Sequence, residues 1–470
     1  MIFSSTFFLC VFLPITLILY YAVPWKFKNF ILLICSLIFY AWGEPVYVLL
    51  MMFSIVFNYM AGIQIGDLQK AKKTKTKRSV FLFTLIVNIA ILCFFKYYGF
   101  VLSNLNYLLG TNIPIHDLAL PIGISFYTFQ ILSYIIDVYW GKVKVQYNII
   151  NFGAYITMFP QLIAGPIVRY EDIQRQLIKR KITLAKVADG AAWFIRGLAK
   201  KVLLANNIGM LYDTIYALPA AQRPVLTAWI GIIAYTFQIY FDFSGYSDMA
   251  VGLGKMMGFK FVQNFDYPYI SKSVTEFWRR WHISLGTWFR EYVYIPLGGN
   301  RVNAARHIRN ILLVWALTGL WHGADWCYIL WGVYYGLLLL VEKYFLIKFL
   351  QKAPAVIQHF YTIVIFVIGW LIFTAPSLAG LGQNFAALFG GMGNGFVNAQ
   401  TGYYFTTNLV LLLLCALCST PLIWKLFQKV SYLKNRIGQI ISIICYVLMF
   451  TTSIAYLVNA TYNPFLYFKF

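Results

Sequence analysis

The chain has 470 residues, of which 61% are hydrophobic and only 11% carry a charged side chain. Soluble domains carry about 25% charged residues, so this composition excludes an ordinary soluble protein and indicates a multi-pass protein of the cell membrane. A net charge of +23 would suggest nucleic acid as the partner of a soluble chain. Here the cations lie between apolar runs, where they contact anionic membrane lipids and determine topology, so we expect no nucleic-acid partner.

Apolar runs occur along the whole chain, whose length allows about ten to twelve crossings by helices of about 20 residues. The first run has neither a basic start nor a clear cleavage site, which predicts a retained transmembrane helix. We predict a single membrane domain over residues 1–470. The run at 188–213 contains Arg196, Lys200 and Lys201, a pattern that predicts a helix lying in the interface. The runs lie near 5–24, 29–42, 45–66, 79–98, 119–138, 149–167, 188–213, 225–246, 308–320, 326–347, 358–375, 403–424 and 437–460.

A strongly basic connector follows the third apolar run. Its sequence, QKAKKTKTKRS, ends at Ser79 and contains six Lys or Arg residues, which places it in the cytoplasm. The basic segment 169–201 indicates the same side. If all three preceding runs cross the membrane, the N-terminus is extracytoplasmic; if the short second run does not cross, that orientation reverses.

Seven cysteines are scattered along the chain, most of them within apolar runs. Cys415 and Cys418 are three residues apart but have no second pair nearby. We interpret the cysteines as small buried hydrophobic residues, and we predict neither a disulfide framework nor a metal site.

Two segments combine apolar residues with helix breakers and polar side chains. They are LPIGISFYTFQILSYIIDVYWGK (120–142), which contains Asp137, and FPQLIAGPIVRYED (159–172). Irregular backbone and a carboxylate are tolerated at membrane depth only when they are buried in protein or line a wet cavity. Neither segment is therefore expected to face lipid.

A third segment, QIYFDFSGYSDMAVGLGKMMGFKF (238–261), places Asp242, Ser244 and Tyr246 close together after an apolar run. These side chains would line a cavity or a substrate path. Alternatively, a helix ends here at the interface and its carboxylates pair with nearby arginines. The residues favour neither interpretation, and the acidic groups are too few for a metal site.

The stretch EFWRRWHISLGTWFREYVY begins at Glu276 and has the aromatic character of a partly immersed helix. Glu276 and Arg280 are four residues apart and can pair on one helix face. Arg279 and Arg280 could hold a phosphate or carboxylate, although lipid headgroups explain them as well. His282 lies beside them, and on residue type alone a structural role is somewhat favoured.

His322 lies in an apolar, tryptophan-rich run, where an ionisable side chain is costly. Gly319 and Gly323 on either side permit a close backbone approach or a break in the helix. Burial disfavours the charged form of imidazole, and a neutral imidazole can act as a general base. A core histidine bonded to a backbone carbonyl is an equally good interpretation of the residues.

Taken together, these segments resemble the membrane-bound O-acyltransferase (MBOAT) family, and most closely its alginate O-acetyltransferase branch. The similarity runs end to end and in order, which makes it far more specific than a lone Trp-His-Gly. The matching stretches are FSSTFFLCVFLP, FYAWGEP (39–45), LPIGISFYTFQILSYIIDVYWG (120–141), FPQLIAGPIVR (159–169), QIYFDFSGYSDMAVGLGKMMGF (238–259), EFWRRWHISLGTWFREYVYIPLGGNR (276–301), GLWHGADWCYILWG (319–332) and NPFLYFKF (463–470).

The resemblance implies an all-α polytopic fold, with a ring of transmembrane helices, interfacial helices and re-entrant helices around a thinned catalytic centre. It implies transfer of an acetyl group from a cytoplasmic thioester, with acetyl-CoA as co-substrate and no bound cofactor, to an exported polysaccharide. His322 would be the catalytic base and His282 a second functional histidine. We expect extracytoplasmic acetyltransferase partners to complete the transfer. Donor or substrate contacts are expected from Arg279, Arg280, Trp281, Trp321, Asp242, Ser244 and Tyr246.

Two other functions stay open at this point. A D-alanyltransferase of teichoic acid would belong to the same superfamily and take its acyl group from a carrier protein, but the apolar runs after His322 favour the acetyltransferase branch. A transporter of lipid-linked sugars would also suit broken helices and intramembrane acids. No recognisable inverted repeat supports the transporter.

Overall fold

The structure is a computed structural model that describes residues 1–116, 118–431, 436–459 and 462–466. These residues form α-helices joined by short 3-10 and π turns, and no β-strand occurs among them. The predicted all-α fold class is therefore confirmed. The first helices are α1 (Leu13–Ala22), α2 (Lys28–Ala41), α3 (Tyr47–Lys70), α4 (Thr74–Leu109), α5 (Ile124–Trp140), α6 (Ile149–Thr157), α7 (Phe159–Leu162), α8 (Tyr170–Ile178), α9 (Leu184–Ala199) and α10 (Asn206–Tyr216).

The helices continue through the second half of the chain. They are α11 (Val225–Met256), α12 (Val274–Arg280), α13 (Ile283–Phe289), α14 (Ala304–His322), α15 (Trp326–Val341), α16 (Ile347–Lys352), α17 (Ala355–Thr374), α18 (Leu378–Leu388), α19 (Ala399–Cys418), α20 (Leu422–Ser431) and α21 (Arg436–Asn459). Turns of π-helix at Phe8–Phe12, Lys200–Ala205, Arg290–Tyr294 and Glu342–Leu346 interrupt or extend several of them.

Six helices of the described residues are long and apolar enough to cross a membrane: α3, α4, α11, α17, α19 and Ile437–Asn459 of α21. A multi-pass membrane protein is thus confirmed. The other apolar runs fold into shorter or more polar helices, so the expected ten to twelve crossings stay a prediction.

The chain divides into two compact units. Unit 1 comprises residues 1–194 and 249–262, and unit 2 comprises residues 195–248 and 263–470. The single domain over residues 1–470 and the ring implied by the resemblance both stay predictions.

Unit 1 buries the first polar segment that the sequence singles out. In α5, Gln130, Ser133 and Asp137 are each fully buried. This burial agrees with the prediction that the segment does not face lipid. At its start, Gly123 has the positive φ that glycine adopts without strain. A Cβ at this position would lie 2.6 Å from the carbonyl oxygen of Leu162, so the helix start packs directly against backbone.

Unit 2 contains both histidines of interest and is built around the pair α14 and α15. A Cβ on Gly319 of α14 would lie 2.3 Å from the carbonyl oxygen of Tyr328 in α15. A Cβ on Gly332 of α15 would lie equally close to the carbonyl oxygen of Trp315 in α14. The two helices therefore pack backbone against backbone, which confirms the predicted close approach at Gly319 and fixes the end of α14.

Candidate functional site

His322 is the last residue of α14, and Gly323 continues the chain in an extended conformation. The imidazole is 8% exposed and is surrounded by aromatic rings. The ring centroids of Trp321, Trp331 and Phe373 lie 5.0, 5.1 and 5.2 Å from that of His322, each nearly perpendicular to it. The helix end thus delivers a polar side chain into an otherwise apolar aromatic shell.

A small cavity opens beside this imidazole within unit 2. Its volume is about 20 Å³, room for about one water molecule. The walls are mostly aromatic, and Asp242 contributes the carboxylate. The lining residues are Ile239, Asp242, Phe243, Trp281, His322, Trp331, Trp370, Phe373, Phe465 and Leu466. Hereafter this space is called the histidine cavity.

Asp242 belongs to a buried ion pair. Its Oδ1 lies 2.6 Å from Nζ of Lys201, and both side chains are almost completely buried. Lys201 is therefore paired inside the protein, and the interfacial position expected for its helix stays a prediction. The alternative interpretation, a helix end near Asp242, is wrong because α11 continues to Met256. The paired carboxylate that this interpretation predicted is present, but its partner is a lysine and not an arginine.

The same ion pair holds the segment 462–466 against the cavity. Nζ of Lys201 donates to the carbonyl oxygen of Pro464, and the backbone N–H of Leu466 donates to Oδ2 of Asp242 over 2.8 Å. Phe465 and Leu466 then form part of the cavity wall. Of the terminal motif NPFLYFKF, residues 467–470 lie outside the described part of the chain.

His282 joins α12 to α13 and has φ 46° and ψ 54°, a left-handed conformation that is uncommon for a residue other than glycine. The side chain of Asn264 explains how it is held. Oδ1 of Asn264 accepts from the backbone N–H of Ser284 over 3.1 Å, from its hydroxyl over 2.9 Å, and lies 3.2 Å from Nδ1 of His282. Because this oxygen is an acceptor, Nδ1 carries the proton.

The protonated Nδ1 leaves Nε2 of His282 with the lone pair. Nε2 is buried and has no hydrogen-bond partner among the described residues. Burial also lowers the pKa of His282, which lies outside the six spanning helices, to about 3. The ring is thus neutral near pH 7, and Nε2 can accept a hydrogen bond but cannot donate one. Trp321 separates the two histidines, its ring centroid 6.0 Å from that of His282.

The other predicted contact residues are distributed unevenly around the cavity. Trp281 and Asp242 line it. Ser244 and Tyr246 are buried but do not line it, and Tyr246 packs on Phe465 with ring centroids 4.7 Å apart. Their roles stay predictions.

The two arginines lie outside the cavity lining. Arg280 makes the predicted pair with Glu276 over 2.9 Å and also contacts Asp266 over 3.1 Å. Arg279 is exposed. A donor-binding role for Arg279 or Arg280 stays a prediction.

A much larger chamber of about 840 Å³ lies next to the histidine cavity in unit 2. Gly323, Ala324 and Asp325, which follow His322 directly, form part of its wall. Phe373 and Leu466 line both spaces and therefore separate them. The polar and aromatic side chains of its wall are Tyr212, Asp213, Tyr216, Arg223, Tyr235, Tyr328, Thr374, Gln383 and Asn384. Hereafter this space is called the polar chamber.

Comparison with known proteins identifies what this arrangement is similar to. The sequence profile of the MBOAT family, membrane-bound O-acyltransferases, matches residues 142–382. A Pseudomonas aeruginosa protein named "Probable alginate O-acetylase AlgI" is 44% identical over 83% of this chain and 75% of its own length. A Pseudomonas putida protein of the same name is 39% identical over 100% of both chains. A peptidoglycan O-acetyltransferase of Helicobacter pylori is 33% identical over 80% of this chain and 78% of its own.

Proposed function

Because the chain belongs to the membrane-bound O-acyltransferase family, we propose that it moves an acetyl group from a thioester to hydroxyl groups of an exported or cell-surface polysaccharide. The chain is a multi-pass membrane O-acyltransferase. The choice of acetyl and of a polysaccharide is supported by the names of its relatives, which are alginate O-acetylases and a peptidoglycan O-acetyltransferase. The transporter hypothesis is therefore set aside.

The observation that carries the proposal is a single imidazole at the end of α14, enclosed by aromatic rings between a narrow cavity and a wide polar chamber. His322 takes the proton of the attacking hydroxyl, which belongs to the polysaccharide or to a relay group on a partner protein, as the hydroxyl oxygen attacks the thioester carbonyl. The new C–O bond forms, the C–S bond breaks, and the imidazolium returns the proton to the leaving thiolate. General-base assistance of this kind contributes about 10²- to 10⁴-fold to the rate.

Acetyl-CoA is the proposed co-substrate, and no resident cofactor is required for this reaction. His282 would position the donor or the acceptor by accepting a hydrogen bond at Nε2. Polarising the thioester carbonyl would require a hydrogen-bond donor at Nε2 and therefore the opposite tautomer. Trp281 and Asp242 would shape the cavity in which the thioester reacts.

The distribution of basic residues supports opposite directions of entry for donor and acceptor. Within unit 2, the connections at the polar-chamber end of the helices are 217–224, 323–325 and 375–398, and Arg223 is their one basic residue. The connections at the other end, 263–303, 342–354 and 419–431, contain five, three and two Lys or Arg. Cytoplasmic connections are the basic ones. The thioester would thus arrive from the cytoplasm and the acceptor through the polar chamber.

The decisive experiment compares cells carrying the native chain with cells carrying His322→Ala at equal membrane abundance. Mild base releases esters from the surface polymers, and both acetate and D-alanine are quantified. We expect His322→Ala to lose the released acetate while D-alanine stays at its native level. His359→Ala, a change of a partly exposed histidine, is the matched control and should retain the acetate.

Each other outcome contradicts a defined part of the proposal. Loss of D-alanine alone would assign the chain to D-alanylation of teichoic acid through a carrier-protein thioester. Persistence of both esters would show that His322 is not the base for either transfer. Extracytoplasmic partner proteins, which we propose complete the transfer to the polymer, must be present in the host for this comparison.

A further inference from the structure

The histidine cavity offers the acyl group of the thioester a place beside the imidazole. In the proposed reaction the attacking hydroxyl lies within hydrogen-bond reach of His322, about 3 Å, and its oxygen is about 3–3.5 Å from the carbonyl carbon. The rest of the acyl group must therefore lie close to the imidazole. His322 lines the histidine cavity, whereas the part of the polar-chamber wall that the structure describes includes Gly323 and Asp325 but not His322.

The size and the wall of this cavity fit one small apolar group. Its volume of about 20 Å³ holds about one water molecule, and a methyl group is about as large. The aromatic part of the wall consists of Trp281, Trp331, Trp370 and Phe373. An acetyl group has a methyl beyond its carbonyl carbon, whereas a propionyl group has an ethyl there. The methyl fits into the cavity as it stands, but the ethyl requires part of the wall to move.

The rings of this wall hold one another in place. The ring centroid of Trp370 lies 4.7 Å from that of Trp281 and 5.7 Å from that of Phe373, and the rings of Trp331 and Phe373 are 5.3 Å apart. All four side chains are at most 4% exposed. Rings packed this closely cannot make room for an added methylene without strain. The wall is therefore rigid enough to select by size.

Phe373 differs from the neighbouring rings in what lies behind it. Trp281 and Trp331 are backed by further rings, those of Phe265 and Tyr335, with centroids 5.0 and 5.2 Å away. Phe373 instead also belongs to the wall of the polar chamber, so its ring separates a space of about 20 Å³ from one of about 840 Å³. A smaller side chain here would join the two spaces, and the room gained would exceed the volume of the lost ring.

We propose that the histidine cavity is the acyl pocket of the transferase and that the ring of Phe373 restricts the acyl group to two carbons. This inference rests on the proposed function and identifies the residue that selects acetyl over longer acyl groups. Phe373 is a specificity residue in this arrangement. Its ring contacts the acyl group and takes no part in the proton transfer.

Selectivity can be measured in permeabilised host cells, which admit added thioesters and keep the surface polymers and the partner proteins. Labelled acetyl-CoA or propionyl-CoA is supplied, mild base releases the esters, and cells lacking the chain give the background. We expect the native chain to prefer acetyl by about 10- to 200-fold in kcat/KM, the range for one extra methylene in an apolar pocket. Phe373→Ala should remove most of this preference. Phe373→Leu, a smaller truncation that disturbs folding less, should give an intermediate ratio.

Phe366→Ala and Phe366→Leu are the matched controls. Phe366 lies in the same helix, α17, and is 3% exposed, as Phe373 is. It stacks on Tyr269 with ring centroids 4.5 Å apart and is not among the described residues that line either space. Its truncation removes the same buried ring without changing the acyl pocket. The ratio of acetyl to propionyl transfer should therefore stay native even where the amount of folded protein falls.

The possible outcomes separate this inference from the function on which it rests. Equal use of the two thioesters by the native chain would overturn the inference alone, and so would a native ratio in both Phe373 variants. The same change of ratio in the Phe366 variants would show that any loss of packing relaxes selectivity, which also overturns it. A native chain that transfers neither acyl group would contradict the proposed function, and the inference with it.

Discussion

The histidine cavity and the polar chamber share a wall but differ in size and in polarity. The cavity has a volume of about 20 Å³ and is enclosed by aromatic rings, with one carboxylate already neutralised by Lys201. The chamber has about 840 Å³ and a wall of amides, hydroxyl groups and carboxylates, with one cation left unpaired. Phe373 and Leu466 belong to both.

This difference separates two physical requirements of acyl transfer to a polymer. Proton transfer and charge development benefit from a dry site with fixed dipoles, because electrostatic interactions are stronger where water is excluded. Recognition of a hydrated sugar chain requires room and hydrogen-bonding groups. In the proposed mechanism, a helix end that places His322 at the boundary would serve both requirements and keep the thioester away from bulk water.

The largest expected effect comes from breaking the ion pair that holds the shared wall. Lys201→Met leaves the carboxylate of Asp242 buried without its cation, which costs about 3–5 kcal/mol of folding free energy. It also removes the donor to Pro464, so the segment with Phe465 and Leu466 loses one of the hydrogen bonds that hold it in place. We expect a large drop in the thermal unfolding temperature of the purified protein and almost no acyl transfer.

The neighbouring lysine provides a matched control. Lys200 pairs with Asp248 over 2.7 Å, but their side chains are 27% and 15% exposed. A partly exposed pair is worth about 0–1 kcal/mol, so Lys200→Met should change the unfolding temperature little. Equal destabilisation by the two substitutions would contradict the distinction between the pairs. The double change Lys201→Met with Asp242→Leu should recover stability, because no charge stays buried.

A smaller effect is expected from separating α14 and α15. Gly319→Ala places a Cβ 2.3 Å from a backbone oxygen, which cannot move as a side chain would. Overpacking of this kind costs about 1–3 kcal/mol, and a displacement of about 1 Å at a catalytic group can cost about 10²-fold in rate. The rate of acetyl transfer and the unfolding temperature should both fall.

Gly402→Ala in α19 is the control for that change, since a Cβ at Gly402 would meet no atom within 4 Å. This substitution should leave the rate unchanged and stability equal or slightly higher. A native rate in Gly319→Ala would mean that the close packing of α14 on α15 does not position His322.

Part of the fold and of the site follows from sequence because it depends on local rules. A polar side chain inside an apolar run must face protein, which is why Gln130 and Asp137 could be predicted to be buried. The pair of Glu276 and Arg280 follows from their spacing of four residues on a helix. The family itself follows from the ordered series of segments, and with it the expectation for His322.

The rest depends on contacts between residues far apart in the chain. Helical spacing cannot reveal that Lys201 faces Asp242, or that residues near position 465 close the cavity of His322. Asn264 gives no local signal of its contact with His282, 18 residues later. Arg223 resembles any basic residue in a loop, and its place in the chamber wall is visible only in the structure.

The smallest expected effect distinguishes the two histidines by pH. With its pKa lowered to about 3, His282 stays neutral throughout the range from about pH 5 to 8. Any acidic limb in that range, meaning a fall in the rate as the pH is lowered, therefore cannot come from protonation of His282. His282→Gln retains a side-chain donor for Asn264 and should lower the rate at every pH without shifting the pH at which any such limb occurs. The measurement is the pH dependence of acetyl transfer by native and variant chains. A limb that disappears in His282→Gln would identify His282 as the titrating base and would return His322 to a structural role in the aromatic shell.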